Sequence, residues 1–153
     1  MALKPFRVIN PYADDISFFM DEVAEVGGLV SLSTGGSGAA MDQASALCTY
    51  AASQSGKTYL GVLLTPMVNK DLTQNRLNPY NGEVQKGGKV RINSRCTVHT
   101  NMILGTVTAG GTAYAGPSGY FQTNQTNAGL NPAVGTFLSS KDEDGYAKLK
   151  VTL

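Results

Sequence analysis

The chain has 153 residues and a net charge of +1; 15% of its residues are charged, 42% are hydrophobic, and it holds 18 glycines and no tryptophan. That length supports one domain with a real core. The near-zero charge speaks against a general nucleic-acid binder, and no apolar run is long enough to cross a bilayer as a helix.

Low charge with abundant Gly, Thr and Asn predicts an all-β chain rich in turns. Residues 1–12 hold Pro5 and Pro11, no glycine and no helical period. Proline removes a donor and favours extended neighbours, so this stretch reads as an extended arm, with 13–153 as a single β domain. Phe6, Val8 and Ile9 give the arm apolar content that a free tail has no use for. It can lie on its own domain or add to a neighbour's sheet edge. The start, MALKPFR, has no apolar h-region, so the reading is a chain made and used in the cytoplasm, or in a particle assembled there.

Residues 14–26 fit two patterns. Asp15 can cap a short helix with Ile16, Phe19, Met20 and Val23 on one face. Ile16, Phe18 and Met20 equally fit a strand. After Gly27-Gly28, residues 29–32 read as a strand, 34–38 as a flexible loop, 39–46 as one helical turn and 47–51 as a short strand. A turn at 53–56 leads into a strand over 58–65. Gly56-Lys57-Thr58 mimics the end of a phosphate-binding loop, but Ala51 stands where that motif needs its first glycine, and strand residues follow instead of a helix. The segment 66–80 is polar and irregular, and Asn81-Gly82 is a hairpin signal.

Residues 89–102 carry the clearest pattern in the chain. Val90, Ile92, Ser94, Cys96, Val98, Thr100 and Met102 point one way; Arg91, Asn93, Arg95, Thr97, His99 and Asn101 point the other. This is the period-2 signature of one long strand with a buried face and a wet, basic face, the spine of a barrel. Beyond Leu104 the pattern becomes short strands between turns: strand 112–115, turn 116–119, returning strand 120–123, an amide-rich loop at 124–132, strand 135–140 and turn 141–145. The last strand, 146–153, alternates with Ala147, Leu149, Val151 and Leu153 inward and Tyr146, Lys148 and Lys150 outward. Such spacing suggests a small barrel or sandwich-like β domain with little helix.

Charge is segregated along the chain. Residues 11–42 carry Asp14, Asp15, Asp21, Glu22, Glu25 and Asp42 with no base; residues 57–95 carry seven bases against Asp71 and Glu83, a surplus of five. These segments can meet within one fold, meet between copies, or remain unrelated solvated faces.

The search for chemistry returns no convergent set. Cys48 and Cys96 sit at inward-looking strand positions and read as buried free thiols. His99 faces away from Cys96, so the two do not form a nucleophile–base pair on one strand. Asp142-Glu143-Asp144-Gly145 resembles part of a calcium loop, but Lys148 and Lys150 follow in place of further oxygen ligands, and a solvated turn is the better reading. Tyr114, Tyr120 and Phe121 could stack on bases or sugars, though short strands make core or subunit contact the simpler assignment. No catalytic residue, cofactor or metal is expected, and the chain is read as a non-enzyme.

Several stretches together resemble the head-decoration, or capsid cement, proteins of tailed bacteriophages: GEVQKGGKV at 82–90, TAGGTAY at 108–114, GPSG at 116–119 and VGTFLSSKDEDGYAKLKV at 134–151. The resemblance is best from about residue 40 onward. It implies a virion protein on the outer capsid surface, made in the host bacterial cytoplasm. Its partners would be the major capsid protein and two further copies of itself, with no nucleic acid and no membrane. It also implies an N-terminal arm reaching onto the shell; no motif of the family marks the contact residues, and the arm's own extended, partly apolar character makes Lys4, Pro5, Phe6, Arg7, Val8, Ile9 and Asn10 the shell-contact candidates. Arg91 and Arg95, beside His99 on the basic strand face, and Tyr114 and Tyr120 are the subunit-interface candidates. The competing reading is an adhesin-like virion module in which tyrosines and the loop 124–131 hold a glycan or host surface.

Overall fold

The computed structural model describes residues 15–33, 47–66, 83–125 and 131–153. The arm at 1–12, the loop at 34–38, the helical turn at 39–46 and the hairpin signal at Asn81-Gly82 lie outside those residues. The described strands are β1 (Asp15–Met20), β2 (Ala24–Glu25), β3 (Leu29–Leu32), β4 (Leu47–Thr49), β5 (Tyr59–Pro66), β6 (Glu83–Val84), β7 (Lys89–Asn93), β8 (Arg95–Thr100), β9 (Ile103–Leu104), β10 (Thr112–Ala115), β11 (Phe121–Gln122), β12 (Ala133–Phe137) and β13 (Ala147–Thr152). One 3-10 turn, Pro117–Gly119, interrupts them. The fold is mainly β, as the composition requires.

Strands β1-β4-β3-β5-β7 close into a barrel. The closing strand is β1, which pairs antiparallel to β7, with Phe18 opposite Val90, and parallel to β4, with Met20 opposite Cys48. The two-fold ambiguity at 14–26 therefore resolves as strand. Phe18 is buried beside Met20, as the alternating pattern demands, while Val23, which the helical pattern needs inward, is 54% exposed. A second sheet runs β8-β13-β12-β10-β11-β9, and β2-β6 forms a two-stranded ribbon. The outermost strands of the six-stranded sheet, β8 and β9, are neighbours in sequence, so the sheet curls toward closure as a half-barrel.

Among the described residues, two hydrophobic cores result. One lies inside the barrel: Phe18, Met20, Val30, Cys48, Leu63, Val90 and Ile92, with Ala24 and Val84 of the ribbon. The other lies between the barrel wall and the half-barrel: Leu29, Val62, Cys96, Val98, Phe121, Val134, Phe137, Leu149 and Val151. Strands β3 and β5 serve both. Leu29 and Val62 face the half-barrel while Val30 and Leu63 face the barrel interior. A strand buried on both faces reads as a continuous apolar run rather than an alternating one, which is why Leu60-Gly61-Val62-Leu63-Leu64 has no polar member.

The expected single strand over 89–102 is two strands in two sheets. Its inward residues do not fill one core: Val90 and Ile92 belong to the barrel, Cys96 and Val98 to the half-barrel. The break is at Ser94. Asn93, read as outward, is buried, and its Oδ1 accepts the Arg95 backbone N–H at 3.0 Å. That local side-chain bond turns the chain in place of a ladder bond. Gly61 makes room for the turn. A Cβ there would stand 2.3 Å from the Asn93 carbonyl oxygen, so no larger residue fits without moving backbone.

Tyr50 joins the two halves. Its hydroxyl donates to the Glu25 carbonyl and accepts the Gly28 N–H at 3.1 Å. Its ring lies against Gly119 in the 3-10 turn, where a Cβ would approach to 2.6 Å; Gly119 also has φ +77°, a conformation that favours glycine. Beside it, Ser118 N–H donates to the Ala51 carbonyl at 2.8 Å. Thr100 of β8 donates to the buried Gly27 carbonyl at 3.0 Å, a second polar link from half-barrel to barrel.

Two smaller expectations are corrected. The strand expected over 135–140 is Ala133–Phe137, with a register shift where it meets β10, and Leu138 is exposed. Leu153, expected inward, is 37% exposed, because β13 ends at Thr152 and the Leu153 N–H leaves the β13 ladder for the Ser94 carbonyl.

Candidate interaction surface

Among the described residues, the potentially reactive side chains do not converge. Cys96 is buried in the half-barrel core. Cys48 is buried in the barrel, with its thiol 3.6 Å from the Met20 sulfur. Burial, with lesser contributions from Glu22 and Asp21, raises the Cys48 pKa from 9.0 to about 12, so the thiolate that reacts is absent at neutral pH. His99 Nε2 lies 3.9 Å from Asp142 Oδ2, and its ring meets Tyr146 edge-on at 5.8 Å. Asp142 is committed to the turn: its Oδ1 accepts the backbone N–H groups of Asp144 and Tyr146. Among the described residues, no three His, Cys, Asp or Glu side chains come together as metal ligands would.

What the half-barrel does present is a broad outer face. Its inner side is covered by the barrel wall, and the alternation of β13 is complete: Ala147, Leu149 and Val151 are buried, while Lys148, Lys150 and Thr152 are exposed. Pairing lines these up with neighbours. Thr112 of β10, Thr136 of β12, Lys150 of β13 and Thr97 of β8 form one row across four strands. Lys148 stands opposite His99, and Thr152 opposite Arg95. The six strands of this sheet contain Arg95, Lys148, Lys150 and His99 and no carboxylate. The acids of residues 94–153 are confined to one turn, Asp142, Glu143 and Asp144. That turn is tied back onto the sheet, where Lys141 donates from Nζ to the Ile103 carbonyl of β9 at 2.9 Å.

The interface candidates separate under this geometry. Arg91 and Arg95 do not share a strand face: Arg91 is exposed on β7 of the barrel and Arg95 is exposed on β8 of the half-barrel, with the Ser94 bend between them. The single basic face expected for Arg91, Arg95 and His99 is thus corrected to a face built from Arg95, His99, Lys148 and Lys150. The lysines are legible as outward-facing in the sequence; their neighbours are not, because the β8–β13 pairing joins segments some fifty residues apart. Tyr114 is half-buried on β10, opposite Gln122. Tyr120 is half-buried beside the 3-10 turn, its carbonyl accepting the Gly116 N–H at 2.7 Å. Lys4, Pro5, Phe6, Arg7, Val8, Ile9 and Asn10 lie outside the described residues.

The second acidic feature belongs to the barrel end. In the β2-β6 ribbon, Glu25 stands directly opposite Glu83. Like charges at such positions oppose pairing, and Ala24 and Val84 hold the ribbon down by burying into the barrel core. Nearby, Lys86 reaches Asp21 at 3.4 Å. Glu22 turns inward, its carboxylate accepting the Thr49 hydroxyl and the Tyr50 N–H.

No family model matches the chain, and no curated protein matches it in sequence. Among solved structures, it is similar to the N base of the head fiber protein gp8.5 of bacteriophage phi29. The likeness has a TM-score of 0.56 at 12% identity and covers 92% of this chain and 95% of that one. The chain therefore has the fold of a phage head-fibre base, barrel and half-barrel together.

Proposed function

We propose that the protein is a structural component of a tailed-phage virion that binds the outer surface of the capsid. It stabilises the shell, without catalysis, by bridging neighbouring major capsid protein subunits. The observation that carries this reading is the fold shared over nearly the whole chain with a phage head-fibre base. The turn-and-strand motifs at 82–90, 108–119 and 134–151 support it independently, through their resemblance to head-decoration proteins.

The mechanism is clamping. Each copy contributes an N-terminal arm, and an extended segment can add to a sheet edge through main-chain hydrogen bonds that demand little of side-chain identity. Three arms in a homotrimer would bind multivalently, so a weak single contact gives stable attachment. Every bridge adds interface that must break before packaged DNA can burst the shell.

The test is co-sedimentation of the purified protein with expanded shells and with compact procapsids, followed by heat challenge of the loaded shells. Binding to the expanded form with raised heat tolerance is expected; no binding to either form would sink the reading. A chain lacking residues 1–10 should keep its fold by circular dichroism and bind shells more weakly. Undiminished binding would remove the arm from the mechanism.

A further inference from the structure

We infer that the turn 141–145 is a clasp over the corner where β8 passes to β9, and that the contact between His99 and Asp142 makes the clasp tighter in mild acid. It concerns the subunit alone and is independent of the proposed function.

Placement is the first support. Strands β8 and β9 are the outermost strands of the six-stranded sheet, and only Asn101 and Met102 separate them in sequence. The β12–β13 hairpin ends at this corner, since Ala147 at the start of β13 stands opposite Thr100 at the end of β8. From the turn, Lys141 donates from Nζ to the Ile103 carbonyl of β9 at 2.9 Å, and Asp142 Oδ2 lies 3.9 Å from His99 Nε2 of β8. Two consecutive residues thus reach both outermost strands. The turn moves as one piece with them. Asp142 Oδ1 accepts the N–H groups of Asp144 and Tyr146, the Asp142 N–H donates to the Tyr146 carbonyl at 2.8 Å, and the Gly145 N–H donates to the Asp142 carbonyl at 3.0 Å.

Chemistry is the second support, because the two clips differ in kind. Lys141 bonds a carbonyl, which does not titrate. An imidazole gains its charge between about pH 8 and 5, so the other clip is an ion pair only on the acid side. Further groups surround His99. Tyr146 meets its ring edge-on, a contact present in either charge state. Lys148 stands directly opposite on β13, with Lys150 beyond it; Arg95 lies on the same strand, and Glu143 and Asp144 share the turn. The cations oppose an imidazolium and the acids favour it. Lys148, Lys150 and Arg95 are exposed, where water and salt screen them. Asp142 carries the sign, since its oxygen is the one within ion-pair distance of a ring nitrogen that is itself shielded, the His99 side chain being 19% exposed. The contribution of this clip is present while the imidazole is charged and is lost as pH rises through that range.

Amide hydrogen exchange tests this, with each rate divided by that of the unstructured chain at the same pH. Gly145 and Tyr146 should be about two- to fivefold better protected near pH 5.5 than near pH 7.5, the size a partly exposed ion pair allows. The amides of Leu63 and Gly87, which bond to the Gly28 and Met20 carbonyls on the barrel side, should keep one value. His99→Phe keeps a ring beside Tyr146 and cannot charge; Asp142→Asn keeps an oxygen for the Asp144 and Tyr146 amides and loses the charge. Each should abolish the pH dependence, with folding checked by circular dichroism. Lys141→Met should lower the protection of Gly145 at both pH values and leave their ratio unchanged. The inference is overturned by pH-independent protection in the unaltered chain, by dependence that survives in either His99→Phe or Asp142→Asn, or by barrel amides that follow the turn. Undiminished protection in Lys141→Met removes the β9 clip and, with it, the clasp. Where a variant does not fold, the pH ratio of the unaltered chain still decides.

Discussion

The barrel and the half-barrel solve the same problem in opposite ways. The barrel closes on itself, so its hydrogen bonding is complete around the ring and no strand edge needs a chemical guard. Its shared wall, β3 and β5, buries apolar side chains on both faces, Leu29 and Val62 on one and Val30 and Leu63 on the other. The half-barrel keeps two edges and one wet face, and its strand β13 alternates cleanly, with Ala147, Leu149 and Val151 inward and Lys148, Lys150 and Thr152 outward. One unit is committed to holding itself together. The other has a whole face left over, and that face is where a binding function has room to be written.

Because β3 and β5 belong to both cores, damage to one side should be felt on the other. The largest effect is expected from Phe137→Ala, which empties a fully buried site in the half-barrel core. Truncations of this kind cost about 3–5 kcal/mol. Leu63→Ala, on the barrel side of the wall, should cost about 2–5 kcal/mol. Urea unfolding followed by two probes, tyrosine fluorescence and far-ultraviolet circular dichroism, should show one coincident transition for each variant. Two separated transitions would mean that the halves unfold independently and that the shared wall does not couple them.

The joint comes next. Gly61→Ala forces a Cβ toward the Asn93 carbonyl where the chain crosses from one sheet to the other. Overpacking at such a site costs about 1–3 kcal/mol. Tyr50→Phe removes the donor to Glu25 and the acceptor for Gly28 while leaving the ring on Gly119. Leaving those two backbone groups without their partner should cost about 1–3 kcal/mol. If Tyr50→Phe is neutral in urea while Gly61→Ala is not, the halves are joined by backbone fit and not by the tyrosine.

The fold's parts were unequally legible in the sequence, and the reason is physical. Strand positions and inward residues follow from alternation, a local signal, so Ala147, Leu149 and Val151 or Cys96 and Val98 could be placed correctly. Alternation says nothing about which sheet a strand joins. Val90 and Val98 have the same parity and lie in different cores, and the break at Ser94 depends on Asn93 bonding to Arg95 across a bend that Gly61 accommodates. The candidate surface shows the same limit. Lys148, Lys150 and Arg95 were each readable as outward, but the face exists only because β13 pairs with β8. Tyr50 gave no local signal at all, since its partners Glu25, Gly28 and Gly119 are all distant in sequence.

Alkaline pH should weaken the fold through two groups, one in the barrel and one at the joint. Burial, chiefly, pushes up the Cys48 thiol from 9.0 to about 12. Tyr50 is also raised from 10.0, again mainly by burial, against a lowering by the Gly28 N–H. For both groups the native state favours the protonated form. The stability they contribute is fully present below the unfolded-state pKa and is lost as pH climbs from about 9 toward 12. The urea midpoint should therefore fall between pH 8.5 and 11, and Cys48→Ala should flatten part of that fall on top of its cavity cost. A Cys48→Ala profile parallel to the parent's would assign the alkaline loss to other groups. At neutral pH, Cys48 should resist a thiol reagent until the protein is unfolded.

The smallest effect is expected on the outer face, and it is the sharpest comparison because the two positions are adjacent. Lys150 and Val151 are consecutive residues of β13, one exposed and one 1% exposed, and the pleat sends them to opposite sides of the sheet. Lys150→Thr leaves the strand's propensity for extended structure intact and continues the threonine row of Thr112, Thr136 and Thr97. It should change stability by no more than about 0.5 kcal/mol. Val151→Thr places a hydroxyl in the half-barrel core against Cys96 and Gly135, where water cannot follow it. Burying that group should cost about 1–3 kcal/mol. The free-energy difference between the two variants, measured in urea at low protein concentration, reports how strictly the face is partitioned from the core. A costly Lys150→Thr at that dilution would mean that the lysine supports the subunit's own fold, and a face needed for folding is not one held ready for a partner.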